Sequence, residues 1–117
     1  MMRLIPALLM LMLHLSAHSQ EPQEGLDQAR AQWARTLQKA IQRHWRPPTI
    51  EIADAACYIR ITQSTAGVVL GAALVRSCGS SAADAAILDA VWKSSPLPLP
   101  DNPAVFEAEV IVSFSRS

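Results

Sequence analysis

The chain has 117 residues, half of them hydrophobic and only 17% charged, with ten Lys and Arg balancing ten Asp and Glu. That length allows one small domain. The lack of a basic excess disfavours nucleic acid as a partner, because binding along a phosphate backbone needs clear positive charge.

Met1-Met2-Arg3 gives a short positive start, Leu4 to Leu15 is an almost uninterrupted apolar run, and Ala17-His18-Ser19 places small residues at the two positions a signal peptidase reads. This layout predicts a signal peptide over residues 1–19, leaving a periplasmic chain after cleavage. A spanning helix needs about 20 apolar residues, whereas this run carries His14 and gives way to Ser16, His18, Ser19, Gln20 and Glu21. The alternative is an inner-membrane anchor formed by residues 4–15. No Cys follows the run, so a lipid anchor is not indicated.

From Leu26 to Trp45 the apolar residues Leu26, Ala29, Trp33, Leu37, Ala40, Ile41 and Trp45 fall mostly three or four apart, which predicts an amphipathic helix. Pro47-Pro48 should end it at about Trp45 or Arg46. From Glu24 to Arg46 the basic residues Arg30, Arg35, Lys39, Arg43 and Arg46 face only Glu24 and Asp27, while the chain from Thr49 onward is mildly acidic. A basic helix laid on an acidic sheet domain is one reading; an ordinary solvated helix face is the other.

Cys57, Ile59 and Ile61 alternate with Tyr58, Arg60 and Thr62, predicting a half-buried strand. Gln63 to Gly67 suits a hairpin loop with a positive φ at Gly67. Val68 to Arg76 is apolar on both faces, as expected of a strand that is central or covered on both sides. After Ser77-Cys78-Gly79-Ser80, Ser81 and Asp84 resemble a capping box opening a short helix with Ala83, Ala86, Ile87, Ala90 and Val91 inward. Pro96 to Pro103 must be an extended connection, with Leu97 and Leu99 packed on the domain; a proline-rich ligand for an aromatic groove is the competing use. Ala108, Val110, Val112 and Phe114 alternate with Glu109, Ile111 and Ser113 in a last strand. The fold class is therefore α+β, a three-stranded antiparallel sheet packed with two helices in the order α-β-β-α-β. Residues 20–48 form the amphipathic helix packing on the domain and residues 49–117 the α+β unit.

After residue 19 the one histidine is His44, at a helix C-terminus where a cation or polar cap is the ordinary explanation. Metal-ligand spacing, a phosphate-binding glycine loop and a nucleophile elbow are all missing. Asp84, Asp89, Glu107 and Glu109 read as solvated charges rather than an acid–base pair. The expectation is a non-enzyme with no metal, cofactor or small-molecule substrate. Cys57 and Cys78, an even count in an exported small domain, predict a disulfide. With Ser64 facing Val68, Cys57 would lie opposite roughly Val75, and a bulge or the strand's end would bring Cys78 beside it. Two buried free thiols, or a thiol-redox protein, are the alternatives.

Trp45-Arg46-Pro47-Pro48, the strand from Cys57, Gly67, and Ser77-Cys78-Gly79 stand in the order and spacing of a known family. Ala90-Val91-Trp92-Lys93-Ser94-Ser95-Pro96-Leu97-Pro98-Leu99-Pro100, followed by Val105-Phe106, is the most specific stretch. Together they resemble the C-terminal domain of TolA, related in fold to that of TonB, over about residues 45–114. The matching positions are Trp45, Pro48, Gly67, Ser77, Gly79, Ala90, Val91, Pro96, Leu97, Pro98 and Phe106. The long stalk of TolA has no counterpart, and Ser115-Arg116-Ser117 replaces the family's usual Phe-x-Pro ending.

The resemblance implies a non-enzymatic periplasmic domain of a Tol-Pal or TonB-type energy-transducing system. It further implies binding by strand addition, with partners among Tol-Pal-type envelope proteins and possibly phage coat proteins or colicins. The last strand, Ala108, Glu109, Val110, Ile111, Val112, Ser113 and Phe114, carries no inward lysine and no proline, so it is the expected partner-binding edge. The first strand is the competing edge. The alternative function is an accessory or inhibitor subunit of an envelope secretion or transport machine, acting through the basic helix.

Overall fold

The computed structural model describes residues 4–46 and 56–115. Its elements are α1 (Leu4–Gln42), β1 (Cys57–Gln63), β2 (Val69–Arg76), α2 (Ser81–Lys93), a 3-10 turn (Pro103–Val105) and β3 (Glu109–Phe114). The expected α+β class and α-β-β-α-β order are present, with one antiparallel three-stranded sheet.

α1 runs without a break through the expected signal-peptide boundary, and no helix among the described residues is long and apolar enough to cross a membrane. Trp33, Leu37 and Ile41, four residues apart, are its buried contacts, with Leu26, Ala29 and Trp45 partly buried against the same core. The helix ends at Gln42, earlier than Trp45. His44 and Trp45 donate their backbone N–H groups to the carbonyls of Ile41 and Gln42, so the chain tightens into three-residue turns before the prolines. Arg46 supplies a side-chain donor at this end. Its guanidinium donates to the carbonyls of Arg43 at 3.1 Å and Trp45 at 3.2 Å. Pro48 lies outside the described residues.

The strand order is β2-β1-β3. This corrects two expectations: β1 is central and cannot be the competing edge, and the apolar β2 is an edge. Its Leu70 and Val75 are 61% and 50% exposed. The strand is therefore neither central nor covered on both sides: its outer face keeps apolar side chains in the open, so apolar character there did not report burial. Hydrogen-bonded neighbours lie in the sheet plane, where side chains carry no signal. Across the inner face Ile59 and Ile61 of β1 meet Leu74 and Ala72 of β2 and Val112 and Val110 of β3. Both helices cover that face, with Leu37, Ile41, Ile87, Ala90 and Val91 in one core with Ile59, Ile61, Val112 and Phe114. The other face is open, and Arg60 and Glu109 pair across it at 2.9 Å.

The hairpin between β1 and β2 turns at Gly67, whose φ is +84°. Leu97 donates its N–H to the Gly67 carbonyl at 2.7 Å, and a Cβ on Gly67 would overlap the Leu97 carbonyl oxygen. Glycine is thus required twice, by conformation and by space. Register shifts in the β1–β2 ladder, one of them between Tyr58 and Ile59, bring Cys57 and Cys78 to a Cα separation of 4.6 Å, and the two form a disulfide. The cap of α2 sits one residue earlier than expected. Gly79, with φ +108°, turns the chain so that Ser80 is extended, and its hydroxyl accepts from Ala83 N–H at 3.1 Å. Asp84 instead reaches back, accepting from Cys78 N–H at 2.6 Å and the Ser77 hydroxyl at 2.8 Å. In the proline-rich connection Leu97 is buried, as expected, but Leu99 is 48% exposed. An extended proline segment turns successive side chains different ways, so both leucines cannot face one core. Trp33 holds this segment by donating its indole N–H to the Pro98 carbonyl at 2.9 Å.

Candidate functional site

Gln63 fixes where β3 begins. Its backbone N–H donates to the Ala108 carbonyl at 2.8 Å and its buried side-chain amide donates to the Glu107 carbonyl at 3.1 Å. Ala108 therefore precedes the strand proper, which starts at Glu109. Antiparallel ladders alternate, and the register pairs Ile61 with Val110, Ile59 with Val112 and Cys57 with Phe114. The Gln63–Ala108 bond sets the phase: Val110, Val112 and Phe114 turn their backbone groups toward β1. Glu109, Ile111 and Ser113 turn theirs away from it, toward the open edge. Val112 and Phe114 are buried, whereas the Glu109 and Ile111 side chains are exposed on the open face.

α1 runs beside this edge. Trp45 meets Phe114 edge-on with ring centroids 6.0 Å apart, and Gln38 donates its amide to the Ser113 carbonyl at 2.9 Å. Further toward the start of β3 the helix and strand part. A shallow groove opens there, walled by Trp33, Ala34, Val105 and Val110 and rimmed by Arg30, Glu107 and Ile111.

The opposite edge, β2, is treated differently. Val69 donates its N–H to the Ser95 hydroxyl at 3.0 Å, and Leu97 bonds the Gly67 carbonyl just before the strand. The segment after α2 thus covers the first part of β2. What remains exposed there is apolar side-chain surface, including Val68 and Leu70.

The motif positions among the described residues pack or shape the fold. Ala90, Val91 and Leu97 lie in the core, Gly67 and Gly79 supply the two positive φ values, Ser77 holds Asp84, and Phe106 stacks obliquely on Trp33 at 5.8 Å. Trp45 packs on the end of β3, and Pro96 and Pro98 shape the strap beside β2. The carboxylates weighed for acid–base chemistry are mostly engaged elsewhere, Asp84 in the loop, Asp89 with Lys93 at 2.8 Å and Glu109 with Arg60. Sequence reasoning passed over Gln38, Arg30 and Ala34 as parts of this edge. The only signal was position, since each borders the apolar stripe of α1.

Comparison with known proteins agrees with this architecture. No curated protein matches the chain significantly. A solution structure of TolAIII bound to a peptide derived from the N-terminus of TolB superposes with a TM-score of 0.61, at 18% identity over 72% of each chain. That likeness concerns the fold. The family model described as TonB C terminal matches residues 30–114, from the middle of α1 to the end of β3. The chain belongs to the TonB C-terminal family.

Proposed function

We propose that this chain is a non-enzymatic protein-binding domain of the cell envelope, working in the periplasm after removal of residues 1–19. It takes an extended segment of a Tol-Pal-type partner as a fourth strand along β3. The observation that carries this reading is the outward direction of the Glu109 and Ile111 backbone groups, which no strand of the sheet uses, beside a groove ready for side chains. The TolAIII relative was solved with a peptide bound, which supports a peptide as the kind of ligand. Phage coat proteins and colicins would compete for the same edge.

The test is amide exchange followed by NMR while a peptide from the N-terminus of TolB is added. The expected result is slowed exchange at Glu109 and Ile111. Exchange unchanged along β3 would contradict the reading. A second reading, contact through the basic helix, is favoured by Arg35, Lys39 and Arg43, which are exposed and have no ion pair among the described residues. Protection confined to α1 would select it.

A further inference from the structure

An edge that accepts a strand has to define where the added strand stops, or pairing slides by residues and the side chains fall out of their pockets. β3 offers three outward residues, Glu109, Ile111 and Ser113, but they are not equivalent. At Ser113 the carbonyl already accepts the Gln38 amide at 2.9 Å, with the same nitrogen 3.4 Å from the Ser113 hydroxyl. In an antiparallel pair the residue opposite Ser113 would have to exchange both backbone bonds with it. The Gln38 side chain occupies the space in front of that carbonyl. Among the described residues, no side chain of α1 hydrogen-bonds to the backbone of Glu109 or Ile111.

Resting on the strand-addition reading, we infer that Gln38 is the specificity-determining stop of this edge. It limits a partner strand to Glu109 and Ile111, which leaves the single groove beside them to select the partner side chain that enters. The position of Gln38 agrees with this role, because it follows the buried Leu37 and sits on the flank of α1 nearest the strand. Trp33 and Ala34, about one turn earlier on the helix, wall the groove. Stop and pocket are thus built on one rigid helix at a fixed spacing. A partner running antiparallel to β3 meets Val110 and the groove between its two hydrogen-bonded positions. The side chain it places there should be apolar and uncharged, since Trp33, Ala34, Val105 and Val110 form the walls.

The experiment uses the whole chain, the peptide from the N-terminus of TolB as probe, and exchange rates read residue by residue. In the parent chain, saturation should slow Glu109 and Ile111 by about tenfold or more and leave Ser113 nearly unchanged. In Gln38→Ala the Ser113 amide should join the protected set with a slowing of about tenfold. Gln38→Arg, which keeps a donor, should restore the shorter footprint. A merely structural glutamine would alter unfolding but not the length of the footprint. Protection of Ser113 in the parent chain, or an unchanged footprint in Gln38→Ala, overturns the role of Gln38 and leaves strand addition standing. No protection at Glu109 and Ile111 in any variant refutes strand addition, and the stop with it.

Discussion

The two edges of this sheet are both largely apolar but are covered at different places. β2 carries Val69, Leu70, Leu74 and Val75, yet its first part is strapped by Ser95 and Leu97, and the Cys57–Cys78 bond follows its far end. β3 carries exposed Glu109 and Ile111 on its open face, and among the described residues no strand pairs with the outward backbone groups of these two. An apolar edge invites uncontrolled pairing, and this one is fastened at its start, whereas a charge such as Glu109 on an edge discourages such pairing. The edges differ in where backbone is covered: at Val69, the start of β2, and at Ser113, near the end of β3.

The largest effect on this contrast should come from the disulfide. Replacing Cys57 and Cys78 together by alanine removes a bond between residues 21 apart in sequence, and should cost about 3 kcal/mol in urea unfolding. The end of β2 would loosen, with concentration-dependent association as the second readout. Gly67→Ala comes next. Its side chain would collide with the Leu97 carbonyl at a positive φ, and the loss should be about 1–3 kcal/mol, with faster exchange at Val69 showing that the strap has lifted. Asp84→Ala leaves Cys78 N–H without its acceptor and should cost about 1–2 kcal/mol by the same measurement. The smallest change should be Arg60→Ala, since its pair with Glu109 is solvent-exposed and contributes about 0–1 kcal/mol.

Much of this was legible in the sequence for reasons that are local. Trp33, Leu37 and Ile41 repeat at helical spacing, Cys57, Ile59 and Ile61 at strand spacing, and Gly67 stands where a tight turn needs it. The cysteine pairing followed from counting back along one hairpin. The illegible parts depend on the third dimension. Whether β1 or β2 is central is decided by hydrogen bonds in the sheet plane, and the exposure of Leu99 by the path of a segment without periodicity. The shift of the α2 cap to Ser80 came from the turn at Gly79. Gln38 was hidden because its contact with Ser113 joins residues 75 apart.

The register also divides β3 into residues that hold the sheet and residues that face outward. Proline at Val112 would remove a donor from the ladder to β1, whereas proline at Ile111 would remove one only from the outward side, where edge strands tolerate it. The decisive measurement is therefore binding of the TolB N-terminal peptide to Ile111→Pro, with unfolding followed in the same samples. The expected result is a cooperative unfolding transition within about 1–2 kcal/mol of the parent, together with affinity lowered about tenfold or more. A folded Ile111→Pro chain that binds the peptide as tightly as the parent would contradict strand addition on β3.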